Sequence, residues 1–173
     1  QARAYGFDSP VPFELPVAPS LMPAPENMTT WETAWAAVGQ PVGASAVKGP
    51  VATVMQMALV ASGVANGGVV MRPYLIDHVA DPAGYPLQTA RPQALTTAST
   101  PEIAAQVRAL MVKVVQSGSG ARAAISGITV AGKTGTAEVG KSVGTDAWFI
   151  AFGPADAGQT PKVAVAIVLE NAG

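Results

Sequence analysis

Residues 130–138, Val-Ala-Gly-Lys-Thr-Gly-Thr-Ala-Glu, gather the side chains of this chain that are best suited to binding an anion. Within nine positions they place one ammonium group, two hydroxyls and two glycines, although only 12% of the chain is charged. Lysine supplies a positive field, hydroxyls donate hydrogen bonds to a carboxylate, and glycine leaves room for a ligand beside the backbone. This segment is therefore the first candidate for a binding or catalytic site.

Two local structures are compatible with this segment. Residues 127–134 match the phosphate-loop pattern G-x-x-x-x-G-K-[ST], which requires a hydrophobic strand before its first glycine and a helix that begins at the lysine. The residues before that glycine are not strand-like, and three glycines follow Lys133 before the next apolar run. Ile128 and Val130 instead alternate into the motif, which favours a strand. We interpret residues 128–137 as a strand and keep a phosphate-loop nucleotide-binding protein as an alternative.

The two-residue period of a strand has chemical consequences here. It places the side chains of Thr134 and Thr136 on one face and those of Lys133 and Gly135 on the other. Paired hydroxyls near a cation can hold a carboxylate. If the strand borders a cleft, its N–H groups can also stabilise an oxyanion, by about 3 kcal/mol for each donor.

Composition limits the classes of function. The chain has 173 residues, 49% of them hydrophobic, a net charge of −1 and no cysteine. These values fit one domain with a substantial hydrophobic core, and they exclude a basic surface that binds nucleic acid. The single histidine, His78, has no cysteine or acidic cluster at ligand spacing, so we predict a surface residue, no metal and no cofactor.

The first helix is predicted in the second half of the proline-rich segment over residues 1–50. Thr29 and Glu32 have capping-box spacing, and Gly39 marks the end of a short helix. Trp31 and Trp35 lie one turn apart on this helix. We expect both indole rings to anchor it to the core.

A second motif lies at residues 45–48, Ser-Ala-Val-Lys, which match the nucleophile pattern S-x-x-K. That chemistry requires the serine at the start of a helix, with the lysine one turn later. Gly49 and Pro50 follow at once, and the residue before a proline avoids the helical region. We therefore interpret Ser45 and Lys48 as a chance match.

The remaining elements predict an α+β fold in one domain, with an antiparallel sheet and helices packed on it. The uncharged stretch 51–71 is too polar for a confident membrane span and predicts a buried helix of about 16 residues that starts at Pro50. The last strand is apolar on both faces, so we expect cover on both sides. In chain order we predict an irregular segment over 1–50, a strand over 71–79, a helix from 101 to Gly118, and strands over 128–137, 147–152 and 163–169.

The motifs in sequence order resemble the C-terminal part of the transpeptidase domain of penicillin-binding proteins. Lys133-Thr134-Gly135 is the K-T-G element of that family. The similarity extends over the whole chain and is closest to monofunctional, class B members. It rests on residues 130–138, 147–154 and 163–169, and upstream on Tyr5-Gly-Phe7, Leu15-Pro16, Val38-Gly-Gln40, Gln56-Met-Ala58, Ala65-Asn-Gly-Gly68 and Arg72-Pro-Tyr-Leu75.

The resemblance implies a D,D-transpeptidase that cross-links peptidoglycan stem peptides ending in D-Ala-D-Ala through an acyl-serine, and that β-lactam antibiotics acylate. Lys133 would belong to the hydrogen-bonded active-site network, and Thr134 and Thr136 would bind the terminal carboxylate of the substrate. The N–H of Thr136 would form half of the oxyanion hole, and Gly135 would keep the strand open to substrate.

The sequence departs from the family pattern, because S-x-x-K and S-x-N are not found where the resemblance would put them. We therefore expect the chain to be one piece of a larger protein, residues 1–173 being the C-terminal portion of a transpeptidase domain. The N-terminal part of that protein would carry the nucleophile, its lysine and a membrane anchor, and this chain alone would be inactive. Cell-wall synthesis or division proteins are further expected partners, at the outer face of the cytoplasmic membrane. A β-lactam-sensing or non-catalytic penicillin-binding domain is the alternative within the same fold.

Overall fold

The computed structural model of this protein describes residues 1–42, 49–138 and 144–172. These residues form helices packed on an antiparallel sheet, with two small ladders beside it. The helices are α1 (Thr30–Ala37), α2 (Val54–Ala65) and α3 (Pro101–Ser117), and the strands are β1 (Val69–Met71), β2 (His78–Ala80), β3 (Pro86–Thr89), β4 (Ala94–Thr97), β5 (Ala131–Glu138), β6 (Thr145–Gly153) and β7 (Val163–Leu169).

The main sheet has the order β5-β6-β7, and both of its pairs are antiparallel, as predicted. Lys133 lies opposite Ile150, and Phe149 lies opposite both Thr134 and Ile167. Consecutive strands joined by short connections pair in this way without a crossover helix. Among the described residues, β5 and β7 are therefore the edge strands, and each has one free row of backbone groups.

The core of the protein fixes the start of β5. Val64 of α2 and Met111 of α3 pack with Ala131, Phe152 and Ala155 in one buried cluster. Phe152 is almost completely buried, and full burial of such a side chain stabilises the fold by about 1.5 to 3 kcal/mol. Helix α2 packs against β6 and β7, and α3 packs against β5. The two helices therefore contact different strands of the same sheet.

Side-chain caps define the starts of the helices. The hydroxyl of Thr29 accepts a bond from the backbone N–H of Glu32, and the Glu32 carboxylate accepts one from the N–H of Thr29. The backbone N–H of Thr29 and then its hydroxyl lower the pKa of the Glu32 carboxyl. Thr100 caps α3, which ends at Ser117, before Gly118. The predicted capping box and the predicted long helix are both confirmed.

Polar side chains attach the N-terminal segment to the body of the protein. The buried amide of Gln56 donates to the carbonyl of Tyr5 at 2.6 Å. The Asp8 carboxylate accepts bonds from the Arg3 guanidinium and the Met22 N–H, both at 2.8 Å. The Arg3 bond, followed by the Met22 bond, lowers the pKa of Asp8. These contacts place the N-terminal residues beside α2, facing the cavity described below.

The predictions for residues 51–79 are partly wrong. Helix α2 is shorter than expected, because Val51 exchanges two backbone bonds with Leu21 and the helix begins only after the Thr53 cap. No helix in the described ranges is long and apolar enough to cross a membrane. The strand predicted over 71–79 is two separate strands, β1 and β2, which pair with β4 and β3, two strands that the sequence did not indicate.

The two tryptophans of α1 do not enter the core. Trp31 is 65% exposed and Trp35 is 38% exposed. Their rings instead stack on each other, with centroids 5.5 Å apart and an angle of 11° between planes. The one-turn spacing explains why the two rings meet, but the expectation that they anchor the helix in the core is wrong.

The prediction that β7 is covered on both faces is also wrong. Val163, Val165, Ile167 and Leu169 are exposed on one face of this strand, while the intervening residues are half-buried. The strand pairs only with β6 among the described residues and so lies at an edge of the sheet. Apolar residues on both faces predict burial only where another layer covers the second face.

Candidate functional site

The candidate site is built on the free edge of β5. The side-chain amide of Gln40 donates to the carbonyl of Thr136 at 3.0 Å and accepts from the N–H of Glu138 at 3.2 Å. These two backbone groups therefore point away from β6. In an antiparallel pair the residues alternate between facing the partner strand and facing away. Gly132, Thr134, Thr136 and Glu138 thus present their backbone groups at the free edge.

This alternation determines the direction in which the backbone N–H of Thr136 points. The N–H and C=O groups of one strand residue point to the same side. Because the Thr136 carbonyl faces the free edge, the Thr136 N–H faces it as well. The bonds that join β5 to β6 come from the intervening residues, Lys133, Gly135 and Ala137. A ligand lying along this edge can therefore receive a hydrogen bond from Thr136 without any loss of sheet pairing.

The side chains of β5 divide between its two faces, as the two-residue period predicted. The Thr134 hydroxyl is hydrogen-bonded to the Ser119 hydroxyl, which follows α3, at 2.6 Å. Thr136 lies on the same face by alternation and is exposed. The contact with Ser119 gives the Thr134 hydroxyl a fixed neighbour, which restricts its rotation.

Lys133 lies on the opposite face of β5 and is exposed. Its ammonium group donates to the backbone carbonyl of Thr134, which faces the free edge. In the described ranges Lys133 has no carboxylate partner. An exposed ammonium at the edge of the strand supplies a positive field to any anion bound there.

An apolar cavity of about 760 Å³ opens beside the middle of β5. Gly135 borders it, and a Cβ atom at that position would lie 3.2 Å from the Cβ of Trp148, its cross-strand partner. The absence of a side chain therefore keeps this wall of the cavity flat. The N-terminal segment, α1, α2 and the sheet all contribute to the lining, among them Tyr5, Met22, Ala36, Met57, Gly135 and Trp148.

The structure brings together the four residues predicted from the K-T-G segment, Lys133, Thr134, Gly135 and Thr136, on one strand with a free edge. Their roles in binding and catalysis stay predictions. The strand starts at Ala131, later than expected, because Ile128 forms an isolated bridge with Ile125. The S-x-x-K match at Ser45 and Lys48 lies outside the described residues.

Sequence reasoning missed two contacts of this site. No role for Ser119 was predicted from the sequence, and Gln40 entered only as part of the family resemblance. Gln40 lies 96 residues before Thr136 in sequence, and Ser119 lies 15 before Thr134. No local pattern reports such contacts, because they depend on how α1 and α3 are placed against β5.

Residues 2–173 match the model of the penicillin-binding protein transpeptidase domain. The chain is 39% identical to the peptidoglycan D,D-transpeptidase PbpA of Mycobacterium tuberculosis, over 98% of this chain and 33% of that protein. The chain therefore spans about a third of the length of that relative.

Solved structures of penicillin-binding proteins and D,D-transpeptidase domains are also similar to this chain. The D,D-transpeptidase domain of a peptidoglycan glycosyltransferase from Eggerthella lenta matches with a TM-score of 0.90 and 44% identity, over 99% of this chain and 42% of that one. Penicillin-binding protein A from M. tuberculosis, solved as an imipenem acyl-enzyme complex, matches with a TM-score of 0.80 and 36% identity, over 99% of this chain and 37% of that one.

Proposed function

Because the chain belongs to the penicillin-binding protein transpeptidase domain family, we propose that it forms the K-T-G wall of a serine D,D-transpeptidase active site. The complete site cross-links peptidoglycan stem peptides and is acylated by β-lactams. The observation that carries the proposal is the free edge of β5, along which the Thr136 N–H, the hydroxyls of Thr134 and Thr136, and the Lys133 ammonium all lie.

In the proposed reaction, a serine hydroxyl attacks the carbonyl carbon of the penultimate D-Ala, and the terminal D-Ala leaves as the ester forms. We place that serine, with its S-x-x-K and S-x-N motifs, in the part of the protein that corresponds to the rest of the relatives' length. An acceptor amine from a second stem peptide then attacks the ester and releases the serine. The same attack on a β-lactam opens the ring and leaves a stable acyl-enzyme.

Each residue of the K-T-G segment has a role in this proposal. The hydroxyls of Thr134 and Thr136 hold the C-terminal carboxylate of the substrate, which fixes the register of the peptide along β5. The Thr136 N–H donates to the oxygen that becomes negative during attack. The Lys133 ammonium stabilises the negative charge of the substrate carboxylate and of the oxyanion. Gly135 lets the peptide approach the backbone of β5.

Peptidoglycan is a substrate outside the cytoplasm, so we propose that the protein acts at the outer face of the cytoplasmic membrane. Stem peptides with D-Ala-D-Ala ends and β-lactam antibiotics are its proposed ligands. Support comes from the PbpA relative, which is named a peptidoglycan D,D-transpeptidase, and from the matched structure that holds a β-lactam acyl-enzyme. Cell-wall synthesis or division proteins remain proposed partners.

Replacing Thr134 with valine should weaken carboxylate binding without a change in side-chain shape. A hydrogen bond to a charged group contributes about 1.5 to 3 kcal/mol, so acylation of the intact protein by a β-lactam carboxylate should slow by about 10- to 100-fold. The measurement compares benzylpenicillin with its methyl ester, and Ser119→Ala serves as the control that keeps the Thr134 hydroxyl. An equal loss of rate for acid and ester would contradict the carboxylate role.

A further inference from the structure

The side chain of Gln40 is bonded to β5 in the manner of a neighbouring strand. Its amide nitrogen donates to the Thr136 carbonyl, and its amide oxygen accepts from the Glu138 N–H. A primary amide carries one acceptor and two donor hydrogens, so it can satisfy both groups at once. Among the described residues, these bonds are the side-chain contacts that hold the distal half of the β5 edge.

The end of α1 aims this side chain. Gly39 has a φ of +85°, a backbone conformation that residues with a Cβ atom rarely adopt. Its N–H bonds to the carbonyl of Ala36, and the N–H of Gln40 bonds to the carbonyl of Trp35. Bonds of this kind close the last turn of a helix and fix the direction of the following residue. The position of Gln40 is therefore set by α1 and not by a freely moving loop.

The bridge made by Gln40 spans two walls of the apolar cavity. One wall contains Ala36, Ala37 and Val38 at the end of α1, and the other contains Gly135 and Thr136 of β5. On the side of β6, Thr136 has no pairing bond of its own, because its N–H and C=O face the free edge. The Thr136 N–H belongs to the Gly135–Thr136 peptide group, and the Thr136 carbonyl belongs to the next one, Thr136–Ala137. In the part of the chain that the structure describes, the Gln40 amide is the side-chain group that holds this next peptide group from the free edge.

We propose that Gln40 is a positioning residue for the acyl-transfer reaction. By holding the Thr136 carbonyl and the Glu138 N–H, it limits rotation about the Cα of Thr136 and so keeps the Thr136 N–H, in the adjoining peptide group, directed at the developing oxyanion. The inference rests on the proposed function, because it gives this N–H its catalytic role. A positioning role predicts a loss in the chemical step rather than in ligand binding, since displacements of about 1 Å can cost on the order of 100-fold in rate.

The test measures acylation of the intact protein by benzylpenicillin, separated into the dissociation constant and the first-order acylation rate. Gln40→Met keeps the length of the side chain and removes both bonds. We expect its acylation rate to fall by about 10- to 100-fold, with the dissociation constant unchanged. Gln88→Met, on the exposed strand β3, is the matched control and should acylate like the wild type.

A double-mutant cycle with Thr136→Pro separates positioning from general support of the fold. Proline removes the N–H that Gln40 is proposed to orient, so in that background Gln40→Met should slow acylation by less than about threefold. Wild-type rates in Gln40→Met, faster acylation, or fully additive effects would each overturn the inference. Absence of acylation in the wild type would instead overturn the proposed function, and the inference with it.

Discussion

Replacing Thr136 with proline should slow β-lactam acylation of the intact protein by about 100- to 1,000-fold, the effect of removing one oxyanion donor. Proline lacks the backbone N–H and leaves the carbonyl and the sheet pairing of its neighbours in place. The Thr136 N–H faces the free edge of β5, and edge positions of this kind are where sheets tolerate proline. The loss should therefore come from the chemistry and not from unfolding.

Thr136→Ala is the matched control for this experiment, because alanine keeps the N–H and removes only the hydroxyl. It should lose carboxylate binding but retain most of the acylation rate at saturating ligand. The two variants are compared by stopped-flow acylation and by thermal melting. If Thr136→Pro acylates as fast as Thr136→Ala while both remain folded, the N–H of Thr136 has no catalytic role.

Replacing Gly68 with alanine should destabilise the protein by about 3 to 5 kcal/mol, which is at the upper end for single substitutions. The φ of Gly68 is +92°, and a Cβ atom there would lie 2.2 Å from the carbonyl oxygen of Ser99. Backbone cannot move aside as a flexible side chain can. The same residue also accepts the bond from the Ala98 N–H that continues the ladder of β1 and β4.

The preceding glycine provides a control with the same kind of backbone and no steric conflict. Gly67 has a φ of +64°, and nothing lies within 4 Å of a Cβ atom built on it. Gly67→Ala should therefore lower the free energy of unfolding by only about 1 to 2 kcal/mol, the cost of placing a residue with a Cβ atom in the left-handed conformation. Urea unfolding of both variants in the intact protein measures the difference. Equal losses would show that the contact with Ser99 is not the cause.

The elements that the sequence predicted well are those with a strong local signal. The cap at Thr100 and the apolar stripe that follows it determine α3 without reference to the rest of the fold. Alternation of side chains predicted that Thr134 and Thr136 share a face, and the antiparallel order of the last three strands is also confirmed. The resemblance to penicillin-binding proteins and the α+β fold are confirmed by the family match and the solved structures.

The errors arise where tertiary context decides. The stacked pair Trp31 and Trp35 is exposed because α1 turns this face away from the core, which helical spacing alone cannot reveal. The outer face of β7 is apolar yet uncovered among the described residues. The bonds from Gln40 and Ser119 to β5 cross long sequence separations. In each case the sequence predicts the type of element, but it does not reveal which surfaces of the elements come into contact.

The most direct test of the account is covalent labelling of the intact protein with benzylpenicillin, followed by mapping of the modified residue. We predict a stable adduct on a serine other than Ser45, formed by the wild type and formed far more slowly by Lys133→Ala. That result would place the K-T-G strand in a working acyl-enzyme site. A folded wild type without an adduct, an adduct on Ser45, or labelling that is unaffected by Lys133→Ala would contradict it.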